Sequence, residues 1–498
     1  MATTLDVLTS GAALPEDRGV GDVSTRSTFG TLGWLYSAGF ALGGLVVGSR
    51  PLHDNSFFVH LATGRWIVDH GAVPHHDVYS FSAPGVRFVA QSWLAELAYG
   101  ALERSVGAGY IRLLMGCVAA AVAVAVFRLA LRLTGALYRA VGIALVAFTV
   151  IGAMYSERPL AFGLLALVGV VWIVEVPDSR IGRRPILTLP AVLWCWGNVH
   201  GSMALGFAYL ALHLVGRTIE GARPWRAGRE RDIAIGTLVG AAVLCVNPYG
   251  PQLLWFPVEL LGRGKVLADV VEWMSPDFHS VAGMAFAAWL VVTVVVCAFG
   301  VRPSRRDVVV ALPFVLLALW ALRNLAVCVI VLVPVVARSA AVHDGRAPHE
   351  HRTTVGRFVA ALLVVAMSAV GLGALRSPAF DQRSYSRAAM NWLVDHHALG
   401  LHMFTTDANA GWVIAAYWPR QHVYMDDRYD MYPIALMEDY QKVASVQPEW
   451  QSLLDRYRID VVVWPTNRSL SQALRASSSR WTRVEHDSAW SVFVRLSD

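Results

Sequence analysis

The sequence predicts a mainly α-helical, polytopic membrane protein that ends in a small α/β domain outside the membrane. Three observations point there. Of 498 residues, 55% are hydrophobic and 16% charged, where soluble domains carry roughly 25% charged residues. Eleven apolar runs, at 31–48, 111–131, 140–155, 160–176, 187–199, 202–216, 233–246, 281–300, 308–322, 325–337 and 358–375, are candidate spans. After Ser377 these runs stop and short alternating patterns take over. An ordinary cytosolic enzyme is excluded, because so little charge cannot cover a water-soluble surface of this size.

Residues 1–29 contain Glu16, Asp17, Arg18 and Asp22 and lack the apolar core of a signal peptide. They read as a disordered cytoplasmic tail, which makes 31–48 an uncleaved first span. Several runs fall short of the roughly 20 residues of a straight crossing. The stretches 187–216 and 308–337 could each be one long helix or two broken ones. Arginine placement decides between them. With eleven spans and a cytoplasmic start, the basic loops 132–139, 180–184, 217–231, 302–306 and 338–357 all fall on one side. The net charge of +6 is a topology signal rather than the mark of a nucleic-acid partner. All five cysteines lie in apolar stretches, so neither disulfides nor structural zinc are expected.

The same topology sends the other polar clusters outward. These are the loop 49–110, Glu157-Arg158-Pro159, Asn198-Val199-His200-Gly201, Asn247-Pro248-Tyr249-Gly250, Glu272-Trp273 and Arg323-Asn324. Each alone reads equally as a helix cap or turn, and Asn247-Pro248-Tyr249-Gly250 more readily as a turn. Their shared sidedness argues for a single extracytoplasmic site, since such groups are costly at membrane depth.

Within 49–110, Phe57, Phe58, Leu61, Trp66 and Ile67 fit one amphipathic helix, and Trp93, Leu94, Leu97, Ala98 and Leu102 another, both expected in the interface plane. The loop also carries His53, Asp54, His60, Asp69, His70, His75, His76, Asp77 and Glu96. Asp54 follows the first span directly, where a partly desolvated carboxylate can take a proton from an acceptor hydroxyl. A helix cap is the competing reading of Asp54, and interfacial solvation that of the histidines. A divalent metal ion is left open: His75-His76-Asp77 has only a loose ligand spacing, and no metal ligand is assigned.

These residues resemble a known family. His53-Asp54, His60-Leu61-Ala62-Thr63-Gly64-Arg65-Trp66-Ile67, Gly71, Pro74, Asp77, Ser80 and Trp93-Leu94-Ala95-Glu96 are similar to the first outer loop of bacterial membrane proteins with the GT-C glycosyltransferase architecture. The likeness continues through Arg158-Pro159, Trp196-Gly197-Asn198-Val199-His200-Gly201, Asn247-Pro248-Tyr249-Gly250, Glu272-Trp273, Arg323-Asn324 and Asp426-Asp427-Arg428-Tyr429-Asp430. The resemblance implies a multi-pass transferase of the inner (plasma) membrane. It would take a sugar from a polyprenyl-phosphate carrier in the lipid and pass it to an envelope glycan, glycolipid or protein. By position the base is Asp54. Many relatives show two acidic residues together there, whereas His53 precedes Asp54 here, so the second carboxylate is Asp77, Glu96 or absent. Arg158 or Arg323 would meet the donor phosphate. His60, Asn198, His200, Asn247, Glu272, Asp426 and Arg428 complete the expected substrate-binding set.

From 377 onward a helix is expected at 384–397, strands at 402–406, 421–425 and 459–464, a helix at 410–417, helices within 433–457, and a hairpin at 481–486 and 490–495. Thr405-Thr406-Asp407 and Met425-Asp426-Asp427-Arg428 follow predicted strands, where open α/β sheets bind ligands. A structural turn in which Arg428 pairs with Asp427 or Asp430 explains the second motif equally well. No Gly-rich phosphate fingerprint is present, which disfavours a nucleotide-sugar donor. A transporter would show an inverted repeat and charged residues near mid-span, but no convincing repeat is found and the spans carry almost no interior charge. A non-catalytic envelope scaffold would leave the outer clusters unexplained.

Overall fold

The computed structural model describes residues 30–264, 270–341 and 354–496. The expected tail 1–29 and most of the last basic loop lie outside them. Every predicted run coincides with a helix: α1 Thr31–Gly48, α4 Gly109–Thr134, α5 Leu137–Ala153, α6 Leu160–Glu175, α7 Pro185–Val199, α8 Met203–Ile219, α9 Arg229–Leu244, α11 Val281–Phe299, α12 Arg305–Trp320, α13 Leu325–Ser339 and α14 Thr354–Arg376. The outer loop holds α2, Asn55–His70, and α3, Trp93–Val106; a further helix, α10 Gln252–Leu261, was not expected from the sequence. Four segments, Gly109–Thr134, Val281–Phe299, Leu322–Ser339 and Gly356–Arg376, are long and apolar enough to cross a membrane. Val291, Phe299, Leu312, Trp320, Phe358 and Val365 are exposed on α11, α12 and α14. So much uncovered apolar surface on three helices suits lipid rather than water. The chain is a membrane protein.

The two doubtful stretches are broken as the arginines predicted. α7 and α8 part at His200, and α12 and α13 part at a 3₁₀ turn, Leu322–Asn324. The basic loops gather at one end of the bundle. Arg139 donates to Ala340 O at 2.8 Å, Arg229 to Gly182 O at 2.7 Å, and Glu175 receives Arg306 at 3.1 Å and Arg338 at 2.6 Å. The remaining polar clusters gather at the other end, beside α2 and α3.

α2 buries Phe57, Phe58, Leu61 and Ile67 in protein, partly beneath the C-terminal segment, whereas Trp93, Leu94, Leu97, Ala98 and Leu102 of α3 are half-buried and α3 packs on α2, α4 and α7. The C-terminal segment contains α15 Arg387–Asp395, β1 Met403–Thr405, α16 Asp407–Tyr417, α17 Ile434–Ala444, α18 Trp450–Arg456, β2 Val461–Pro465, α19 Ser469–Ala476, β3 Trp481–His486 and β4 Trp490–Arg495. The sheet order is β1-β2-β4-β3, with β1 and β2 parallel and the other pairs antiparallel. The strand expected at 421–425 does not form. Val423 instead makes single bridges, to Met403 on one side and Ser80 of the outer loop on the other. Leu52 exchanges backbone hydrogen bonds with Ala379 and Asp381, both at 2.9 Å. α16 lies against the start of α2, where a Cβ on Gly411 would sit 2.5 Å from Asn55 O. Sheet and outer loop therefore share one core.

Candidate functional site

A cavity of about 420 Å³ opens where the start of α2, the α5–α6 connection, the α7–α8 break, the 3₁₀ turns at Val271–Trp273 and Leu322–Asn324, and residues 427–430 converge. Of the residues singled out from the sequence, His60, Arg158, His200, Glu272, Arg323 and Arg428 line it.

Asp54 is the N-cap of α2 and accepts from Phe57 N at 3.2 Å, so the cap reading is correct. It also receives Arg158 Nε on both oxygens, at 2.7 and 2.8 Å, while Arg158 Nη1 pairs with Glu272. Burial works against the charge on Arg158, but Asp54 and Glu272 outweigh it and hold the guanidinium protonated more firmly than usual. The backbone before Asp54 is clamped as well. His53 N donates to Glu157 at 2.7 Å and His53 O accepts from Tyr385 Oη at 2.5 Å. Asp54 itself faces a smaller cavity of about 310 Å³ beside Tyr385 and Asn409. Arg323 stacks on Trp273 at 4.6 Å and is in no ion pair among the described residues.

Asp427, which the sequence offered only as part of the Met425-Asp426-Asp427-Arg428 motif, lines the larger cavity. It accepts from Asn55 Nδ2 at 2.5 Å and from Ser56 Oγ. Burial, and then the neighbouring Asp426, push it up to about 7, from about 3.9 in an unfolded chain. The folded protein thus keeps a proton that the unfolded chain releases, and stability falls as pH rises from about 4 to about 7. Asp427→Asn is expected to remove that slope. Because the side chain is only half-buried, unfolding measurements should differ in their pH dependence by about 1 to 3 kcal/mol across the window. Identical slopes would place the proton elsewhere.

The neighbouring motif residues build the frame. Arg428 donates to Asp77 at 2.6 Å and to both oxygens of Asp426, at 2.8 and 2.7 Å, and its guanidinium lies over Phe88 and Tyr79 at 4.7 and 4.9 Å. This buried triad ties the outer loop to the C-terminal segment. Pairing of Arg428 with Asp427 or Asp430 is thereby corrected: its carboxylate partners are Asp77 and Asp426. Glu96 is buried against His60 Nδ1 at 2.7 Å. The pair meets because α2 and α3 cross at Gly64 and Gly100, where a Cβ on Gly64 would lie 2.0 Å from Glu96 O. Asn198 accepts from Trp93 Nε1 at 2.7 Å. Asn247 binds Gly250 O at 2.8 Å and accepts from Tyr249 N at 2.7 Å, closing the expected turn. Asp54, Asp77, Glu96, Asn198, Asn247 and Asp426 are not in the wall of the larger cavity.

A divalent ion needs several converging donors. Among the described residues no group of three or more His, Cys, Asp or Glu side chains could hold one. His75 packs on Tyr249 at 4.8 Å while Asp77 turns to Arg428, so the His75-His76-Asp77 run does not converge. These residues do not fit such an ion.

The arrangement has counterparts among solved structures. The archaeal oligosaccharyltransferase AglB from Archaeoglobus fulgidus, in complex with an inhibitory peptide and a dolichol-phosphate, superposes with a TM-score of 0.51 at 9% identity, over 87% of this chain and 69% of the other. The Archaeoglobus fulgidus oligosaccharyltransferase complex with Zn and sulfate gives 0.52 at 10% identity, over 90% and 69%. The chain shares its fold with these oligosaccharyltransferases. No protein-family model and no curated protein matches the chain.

Proposed function

We propose that the protein is a membrane glycosyltransferase that moves a sugar from a polyprenyl-phosphate donor to an envelope glycan, glycolipid or protein, with Asp54 as general base. The observation that carries this reading is the Asp54–Arg158 pair between two cavities, with the uncompensated Arg323 on the wall of the larger one. The acceptor hydroxyl gives its proton to Asp54 as its oxygen bonds to the anomeric carbon. The bond from that carbon to the phosphate oxygen breaks, and the electron pair leaves with the polyprenyl phosphate. Arg158 is saturated by Asp54 and Glu272, so the cation free to meet the leaving phosphate is Arg323. His60, His200 and Glu272 contribute polar groups to the donor cavity. Asp77, Glu96, Asn198, Asn247, Asp426 and Arg428 hold its frame.

In this reading the eleven helices α1, α4–α9 and α11–α14 cross a bacterial plasma membrane. The amino terminus is cytoplasmic, 30–376 form the membrane unit, and 377–498 form an extracytoplasmic domain over the site. The dolichol-phosphate bound by the archaeal enzyme supports a lipid-linked donor. The test is transfer of labelled sugar from a panel of polyprenyl-phosphate sugars to membrane acceptors by the purified protein. Consumption of one donor is the expected result; no binding or turnover of any donor shifts the assignment to transport or scaffolding. Arg323→Ala should raise the donor KM about 10- to 100-fold, the worth of a charge-assisted contact. An unchanged donor KM would remove Arg323 from phosphate binding.

A further inference from the structure

The largest cavity among those described, about 920 Å³, is not the one between the helices. It lies in the C-terminal segment beyond the carboxyl ends of the parallel strands β1 and β2, where Thr406-Asp407 and Arg468-Ser469 emerge. Crevices at this end of a sheet are the usual ligand sites of α/β folds. The cavity continues toward the reaction centre. It shares Val270, Glu272 and Tyr429 with the 420 Å³ cavity, and Thr406 with the one that Asp54 faces.

Its walls combine flat aromatic faces with both kinds of hydrogen-bonding group. Trp464 lines the cavity with 5% of its surface exposed, and the hydroxyls of Tyr429 and Tyr440 lie beside it. Asp407 is held in place by the hydroxyls of Tyr440, at 3.2 Å, and Tyr429. Lys442 and Arg468 face the same space across from Glu272, Asp407 and Glu438. Two cations against three carboxylates suit neither a phosphate nor a simple cation. Donors and acceptors interleaved with aromatic rings suit a neutral polyol whose C–H faces lie on the rings. The volume, near the upper end for small-molecule pockets, accommodates more than one sugar ring.

We infer that this cavity binds the acceptor as a neutral oligosaccharide, whose end reaches Asp54 through the shared Thr406 and Glu272 walls. The inference rests on the transferase reading, but its test does not need turnover. Full-length protein in detergent is titrated calorimetrically with manno-, gluco-, galacto- and arabino-oligosaccharides, and with a peptide of matched size. One saccharide series is expected to bind. Trp464→Ala and Asp407→Asn should each weaken it about tenfold, and Lys442→Ala and Arg468→Ala about threefold or more. Saccharide binding without any donor binding would sink the transferase reading and leave this site standing. The site is overturned if no saccharide binds, if binding ignores all four cavity variants while melting shows them folded, or if only the peptide is displaced by them.

Discussion

Asp54→Asn is expected to lower the transfer rate by about 1,000-fold or more while the protein stays folded. Loss of a general base costs about 100- to 10,000-fold, and here the same change strips Arg158 of its two-oxygen partner. The two effects separate through Glu272, which pairs with Arg158 but holds no proton in the proposed chemistry. If Asp54 merely anchors Arg158, then Glu272→Gln and Asp54→Asn should slow transfer to a similar degree with the same pH–rate profile. If Asp54 is the base, only Asp54→Asn should flatten the acid limb of that profile. Initial rates from pH 4 to 9, with thermal melting as the folding control, decide between them.

Arg428→Met should destabilise the protein by about 3 to 5 kcal/mol, the largest single effect expected on folding. It leaves Asp77 and Asp426, both buried, without their shared cation, and uncompensated buried charge of this kind carries that cost. Arg428→Lys should rescue little, because an ammonium cannot span both carboxylates. The triple change Arg428→Met, Asp77→Asn and Asp426→Asn should recover most of the loss, since it removes the charges together. Denaturant unfolding of the three proteins measures this. Equal stability of Arg428→Met and wild type would mean that the triad does not tie the loop to the C-terminal segment.

The broken helices at 187–216 and 308–337 were legible because arginine placement is a property of the chain order itself. The strand at 421–425 was misread for the opposite reason. Its Val423 bonds to the distant Tyr79 and Phe81 and its Tyr424 to Met403, and two single bridges, to Ser80 and Met403, do not make a strand. Asp426-Asp427-Arg428 was recognised as a motif without knowing which way each residue pointed. The chain bends at Asp427, and Asp426 goes to the buried triad while Asp427 goes to the cavity wall.

By itself the sequence determined that this is a membrane protein, the eleven helical segments and their breaks, the two-ended sorting of charge, and the polar motifs of the outer loop. Those follow from local periodicity and from the cost of placing charge in lipid, and both are written along the chain. Only the tertiary structure decided which partner each carboxylate meets. Asp54, Asp77 and Glu96 carry the same residue-type signal, yet Asp54 meets Arg158 beside a cavity, Asp77 meets Arg428, 351 positions away, and Glu96 meets His60 across a glycine crossing. A carboxylate's role depends on which cation or cavity it meets, and that is set by contacts between segments far apart in the chain.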